Sequence, residues 1–366
     1  WRMSVSFLTM SIARAADASA KLEYAGNRFD GAVLPGRPQD GRCNLAQGTE
    51  AMRLACTQPA EPATDRPKCE ILLFISSAAG YERRRKTLRS TFLTLLRPGT
   101  PNNPLTDDDR VRIRYRFLLG APKPDQVAAL EAEQAEHGDL LQVPAPESYE
   151  TLFPKVVAAW RWAVACFDFG YWVHADDDAF IRLEKLLQWL RSSAAADPND
   201  PRPPGARVDG LYAGYIWDGS EGRRTKPLRD PEAKSYMAYD QWPHESYPPF
   251  ASGCCFVISR DLVEWLVERS PTFTFFRVID VPVGVALSAL PPERLRIVHV
   301  PDIRPYRPLP LFREATIVQH YMQPEEFKQF YANAYGGATR DDKTQESEKA
   351  IAAVYDMFVN AKVMRR

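Results

Sequence analysis

Residues 169–190, FGYWVHADDDAFIRLEKLLQWL, decide how this chain is read. An apolar run, FGYWVHA, leads into three adjacent carboxylates, Asp176, Asp177 and Asp178. An amphipathic stretch follows, in which Phe180, Leu183, Leu187 and Leu190 fall on one stripe. The pattern predicts a buried strand, a short acidic connection and a helix that starts directly after Asp178. Three neighbouring carboxylates repel one another and cost free energy unless a positive charge sits among them. Asp is a favoured helix N-cap and complements the helix dipole, which accounts for one of them, at most two. The end of a strand in an open α/β sheet is also where ligands bind. The triplet is therefore a candidate cation site.

Outward from that point, strands and helices alternate. CEILLFISS reads as a buried strand after a proline, and GYERRRKTLRSTFLTLL as a helix with Leu88, Phe92 and Leu95 on one face. VRIRYRFLLG is a second strand, PDQVAALEAEQAEHG a helix closed by Gly138, DLLQVP a third strand and TLFPKVVAAWRWAVACF another helix. Alternation of this kind implies crossover connections and a mostly parallel sheet flanked by helices. The expected organisation is a stem or linker over 1–67, one α/β domain over 68–335, and a polar loop with a C-terminal helix over 336–366. That helix, near 348–363, carries Ile351, Val354, Tyr355 and Phe358 at helical spacing.

Composition narrows the partners. The chain has 366 residues, 45% hydrophobic and 26% charged, enough for a sizeable core. Lys+Arg and Asp+Glu are equal at 47 each, so no net charge draws it to nucleic acid or anionic lipid. No stretch reaches the ~20 apolar residues of a membrane span, and the first residue is Trp, so the sequence reads as a fragment that lacks its native N-terminus. Among the six cysteines, Cys43, Cys56, Cys69, Cys166, Cys254 and Cys255, there is no C-x-x-C pair, which argues against a zinc ribbon or thioredoxin-type site. Disulfides and free buried thiols both fit.

Several stretches resemble one family. RKTLRSTF (85–92), FLLG (117–120), EQAEHGDLL (133–141), ESYETLFPK (147–155), DDDAF (176–180), YPPFASGCCFVISRD (247–261), IDVPVG (279–284) and QHYMQPEEF (319–327) occur in the order of the motifs of glycosyltransferase family 31. That family holds inverting β1,3-galactosyl- and N-acetylglucosaminyltransferases and Fringe-like enzymes. The resemblance implies a GT-A type, Rossmann-like mixed sheet and transfer of a hexose, galactose first and N-acetylglucosamine as the alternative, from a UDP-sugar to a glycan acceptor. It also implies a Golgi-lumenal protein held by an N-terminal anchor that this sequence does not include.

Residue roles follow from chemistry and resemblance together. A diphosphate leaving group gains charge as the sugar departs, and a divalent cation offsets it. Mn²⁺, or another divalent cation, suits carboxylate and imidazole ligands. Asp178 and, by its match to the family's C-terminal histidine, His320 are the expected ligands. Asp176 is expected toward the donor's ribose or sugar hydroxyls, with Asp177 beside it. The resemblance makes Asp280 the general base; as a carboxylate after the apolar FTFFRVI it also reads as a cap for the helix that follows. The family's usual acidic neighbour is Ile279 here. Arg85 and Arg89, four apart on one helix face, suit phosphate, and Ser77 at a strand end suits nucleotide contact. Trp217 and Trp242 are candidate acceptor platforms, whereas His299 is expected to be structural. Two other readings compete: a non-catalytic subunit on the same fold, kept open by Ile279 and the Cys254–Cys255 pair, and a metal-dependent phosphoester hydrolase, which leaves YPPFASG and HYMQPEEF unexplained.

Overall fold

The apolar run 70–76 and the run 169–175 each alternate between two cores. Ile71, Leu73 and Ile75 face one side of the sheet with Tyr171, Val173 and Ala175, while Leu72 and Phe74 face the other with Trp172. Strands buried on both faces belong at the centre of a sheet covered by helices on each side. The computed structural model has that arrangement. It describes residues 66–336 apart from 148–150, 193–206, 224, 271–277 and 308–311, together with the two-residue strands Glu23–Tyr24 and Asn27–Arg28. The expected stem and the helix near 348–363 lie outside the described residues.

The strands of the main domain are β1 (Lys68–Ser76), β2 (Ile113–Ala121), β3 (Leu140–Pro146), β4 (Asp168–Asp176), β5 (Phe180–Ile181), β6 (Leu211–Trp217), β7 (Phe250–Ser259), β8 (Arg296–His299), β9 (Ile303–Arg304) and β10 (Val318–Gln319). The helices are α1 (Glu82–Arg89), α2 (Asp107–Val111), α3 (Val127–His137), α4 (Leu152–Cys166), α5 (Leu183–Arg191), α6 (Arg260–Arg269), α7 (Asp280–Leu287) and α8 (Pro324–Tyr335). Seven strands form one sheet in the order β8-β6-β7-β4-β1-β2-β3. All neighbours are parallel except at β7, which runs antiparallel to both β4 and β6. The mixed, mostly parallel sheet with flanking helices agrees with the fold expected from the sequence. No helix among the described residues is long and apolar enough to cross a membrane.

Two departures matter for the site. The helix expected to begin after Asp178 begins at Leu183, with Arg182 in the cap position. Phe180 and Ile181 instead form β5, antiparallel to β10, in a second small sheet ordered β9-β10-β5. The pairing sets Phe180 opposite Gln319, so His320 arrives beside the acidic triplet. The helix expected over 80–96 divides into α1 and a 3₁₀ turn, Phe92–Leu96, although Leu88, Phe92 and Leu95 are all buried as their spacing implies.

Candidate functional site

β1 and β4 are in register from Lys68–Asp168 to Ser76–Asp176, so Ser77 and Asp177 leave the sheet side by side. The antiparallel β7 brings its beginning to the same edge, with Cys255 opposite Ala175. Over this edge lies a cavity of about 890 Å³, whose lining includes Ser77, Arg84, Glu147, Lys155, Asp176, Asp177, Asp178, Trp217, Gly253, Asp280 and His320. It sits at the carboxyl ends of the parallel strands, where open α/β sheets accept ligands.

Asp176, Asp178 and His320 converge there, each offering a ligand atom within 4.8 Å of the others. His320 Nε2 is 3.1 Å from Asp178 Oδ1 and 3.5 Å from Asp176 Oδ2. Nδ1 faces the Pro305 carbonyl at 3.3 Å, and a carbonyl only accepts, so Nδ1 carries the proton and Nε2 is the atom aimed at the carboxylates. Burial disfavours the imidazolium, but Asp176 and Asp178 outweigh it and hold the His320 pKa at about 9. Burial likewise opposes ionisation of Asp176, yet the two histidines near it, His174 and His320, keep its carboxyl well below the usual carboxylate range. Two carboxylates and an imidazole fit a divalent cation of the Mn²⁺ or Mg²⁺ kind, and three protein ligands leave positions for oxygens of a bound phosphate.

Asp177 points elsewhere. Its carboxylate accepts from Ser77 Oγ at 2.7 Å and from Arg84 Nη1 at 2.6 Å. Burial raises its pKa despite those two donors. It ties the end of β4 to the end of β1 and holds Arg84 against the cavity wall, with the guanidinium 3.9 Å from Asp178.

Asp280 approaches from α7. Its Oδ1 accepts the Val281 N–H at 2.9 Å and its Oδ2 lies 3.4 Å from the Gly253 nitrogen. Burial raises its pKa, and these backbone donors recover only part of the loss. Glycine is needed on both sides of this contact. A Cβ at Gly253 would stand 2.8 Å from Ile279 Cγ2, and one at Gly284 2.5 Å from Phe250 Cβ. α7 therefore lies against β7 closely enough to present Asp280 to the cavity. The expected cap role is partly met: Ile279 is the cap residue and Asp280 the first helical position.

Arg85 and Arg89 do not line the cavity, contrary to the expectation of direct phosphate contact. Both are buried behind it. Arg85 pairs with Glu133 at 2.6 Å and donates to the Ala78 carbonyl at 2.5 Å, while Arg89 pairs with Asp139 and Glu133 at 2.7 Å. They brace the turn after β1. Trp217 lines the cavity, whereas Trp242 stands back, packing on Tyr247 at 5.7 Å and donating its indole N–H to the Ser246 carbonyl. His299 accepts the Ile216 N–H at Nδ1, in keeping with a structural part. Cys254 and Cys255 are free and buried.

The sequence reading passed over several groups. Arg84 is the arginine of ERRRK that faces the cavity. Lys155, 1% exposed, donates to Glu147 at 2.6 Å and to the Ser77 carbonyl at 3.1 Å, while Glu147 also accepts the Gly120 N–H. The lysine so joins the ends of β1 and β2 at one wall. Tyr321 lines the cavity with its ring stacked on His320 at 3.9 Å, from a left-handed backbone position with φ of 57°. A non-glycine residue there costs about 1–3 kcal/mol, and such positions cluster at functional sites.

A family model described as galactosyltransferase matches residues 83–294. A β1,3-galactosyltransferase, brn, of Drosophila melanogaster is 28% identical over 274 residues, covering 73% of this chain and 74% of that protein. β1,3-Galactosyltransferase 6 of Mus musculus is 33% identical over 234 residues, 63% of this chain and 64% of that protein, which is less than two thirds of its length. Among solved structures, the galactosyltransferase LgtC with donor and acceptor sugar analogues matches at 12% identity and a TM-score of 0.31, over 75% of this chain and 99% of that one.

Proposed function

The chain belongs to the galactosyltransferase family, and from that premise we propose that it transfers galactose from UDP-galactose to a glycan hydroxyl with inversion, forming a β1,3 linkage. One observation carries the reading: the Asp176–Asp178–His320 cluster and the half-buried carboxylate of Asp280 open into one cavity. A cation without a reactive partner nearby would suit simple binding. A cation site and a base in one chamber suit displacement at a sugar.

Asp178 and His320 are the residues to hold a divalent cation, with Asp176 completing the set or turning to a donor hydroxyl. When bound, the cation supplies charge to offset the departing diphosphate. Arg84, held on Asp177 and close to Asp178, adds a second positive charge at that position. Ser77 and the Lys155–Glu147 pair form the wall nearest the ends of β1 and β2, which suits the nucleoside. Asp280 takes the proton of the acceptor hydroxyl as its oxygen attacks the anomeric carbon opposite the leaving diphosphate. A carboxyl whose pKa is raised by burial is the better base once ionised. Trp217 lies in the same cavity and suits stacking on the acceptor sugar.

We further place the protein in the Golgi lumen; imaging of a tagged full-length protein against Golgi markers tests this. The reaction is tested by two variants. Asp178→Ala is expected to weaken Mn²⁺-dependent UDP binding in calorimetry, and Asp280→Asn to abolish transfer at unchanged UDP affinity. Transfer that persists in Asp280→Asn would refute the assignment of the base. A donor screen with UDP-galactose, UDP-N-acetylglucosamine and UDP-glucose decides the sugar.

A further inference from the structure

Beyond the cavity mouth, three aromatic rings form an ordered corner. Tyr215 and Trp217 are two residues apart on β6, with ring centroids 5.3 Å apart. Tyr306, after β9, closes the group at 5.4 Å from Tyr215 and 5.9 Å from Trp217, nearly perpendicular to both. The phenol oxygens of Tyr215 and Tyr306 are 3.1 Å apart, and His299 packs on Tyr215 at 4.8 Å. The rings are thus fixed in relation to one another. They are not a core: Tyr306 is 44% exposed and the other two are half-buried.

Position and chemistry distinguish the occupant. Trp217 lines the cavity that holds Asp280, whereas Tyr306 stands next to it outside that lining. The corner is therefore continuous with the reaction chamber and leads away from it. An acyl chain would be met by aliphatic surface. Here the apolar surface is aromatic, with phenol hydroxyls and the Asp218–Arg223 ion pair at its edge. A flat apolar ring face bordered by hydrogen-bonding groups is the counterpart of a pyranose, which has a C–H face and a rim of hydroxyls. Rings already locked in place lose little freedom when a sugar settles on them.

We propose that Trp217 and Tyr306 mark two consecutive sugar positions of the acceptor: the terminal sugar beside Trp217 in the cavity, the penultimate sugar on Tyr306 outside it. The acceptor is then a glycan of at least two residues. Tyr215 is a positioning residue that holds Tyr306 through the paired hydroxyls. The inference rests on the transferase reading and specifies its acceptor.

The test uses UDP-galactose with methyl β-glycosides of galactose, N-acetylglucosamine and xylose. Each is compared with a β-linked disaccharide ending in the same sugar, for the wild type, Tyr306→Ala and Tyr306→Phe. The expected result is a KM about tenfold lower for the disaccharide of the accepted sugar than for its monosaccharide. Tyr306→Ala is expected to erase that difference while leaving kcat, donor KM and acceptor-free donor hydrolysis unchanged, and Tyr306→Phe to retain most of it. Equal KM values in the wild type, or a difference that survives Tyr306→Ala, overturn the second sugar position while transfer keeps the family reading intact. A wild type that neither transfers nor hydrolyses any UDP-sugar overturns the transferase reading and this inference with it.

Discussion

On the proposed reading, cation binding at this site would have to displace a proton, and that sets a measurable pH dependence. In the metal-free protein the His320 pKa is about 9, because two carboxylates face Nε2 within 3.5 Å. An imidazole ligand must be neutral. Between pH 7 and 8.5 most of His320 is therefore protonated, and each unit of falling pH costs about tenfold in apparent affinity, or about 1.4 kcal/mol. At pH 7 the accumulated penalty is about a hundredfold, ~2.7 kcal/mol. A folded pKa above the ordinary value near 6.5 means that the proton stabilises the metal-free fold fully below that value. This stabilisation disappears as the pH rises through about 9. The assay is calorimetric titration of Mn²⁺ at fixed UDP, from pH 6.5 to 8.5, in buffers of different ionisation enthalpy. About one proton should be released per ion at pH 7, and log K should climb with a slope near one. In His320→Asn both the slope and the proton release should vanish. A flat profile from pH 7 upward with no proton release in the wild type would refute the reasoning, since an ordinary histidine is already largely neutral there.

Other outcomes follow from the same geometry. Gly253→Ala places a methyl 2.8 Å from Ile279 Cγ2 and must displace the start of α7; transfer should fall at least tenfold while Mn²⁺-dependent UDP binding is kept, measured side by side. Because burial raises the Asp280 pKa, the acid limb of kcat/KM should lie above the ordinary carboxylate range, and a limb at the ordinary value would remove the base from that environment. Arg84→Ala should raise the donor KM, by roughly 1.5–3 kcal/mol if its charged hydrogen bonds reach the diphosphate. Arg89→Ala should act differently: it takes the guanidinium from the buried Asp139, which keeps only the Tyr115 hydroxyl, while Glu133 retains Arg85, and should lower stability by about 3–5 kcal/mol, with donor KM unchanged in the folded fraction.

Legibility of the fold in the sequence depended on how local each signal was. CEILLFISS and FGYWVHA were readable because burial on both faces makes a continuous apolar run, and alternation of such runs with helical patterns implies a parallel sheet. Phe180 and Ile181 were misassigned for a related reason. An apolar pair just before an amphipathic stripe fits the first turn of a helix as well as a short strand. What decides it is pairing with Val318 and Gln319, far along the chain, and no local period reports a non-local partner. The same pairing brings His320 to the acids, so its placement, like the role given to Asp280, came from family resemblance rather than from spacing.

The arginines of ERRRK show where a signal existed and was weighed wrongly. Arg85 stands three residues before Leu88 and Arg89 three before Phe92, and so both lie on the helix face that those residues bury. A guanidinium on an apolar face must find buried carboxylates, because an unpaired charge there is too costly. Glu133 and Asp139, in EQAEHGDLL, meet that need, and their placement next to an apolar strand was the visible hint. On the proposed reading, phosphate contact then falls to the arginine off that face. Arg84 occupies that position, 36% exposed at its side chain and already held by Asp177. The triplet's middle carboxylate has a part of its own: it fixes a cation-bearing side chain beside the two carboxylates that face His320. Replacing Asp177 by Asn should therefore loosen Arg84 and raise the donor KM while the Asp176–Asp178–His320 set, and with it the proton release on Mn²⁺ binding, is preserved.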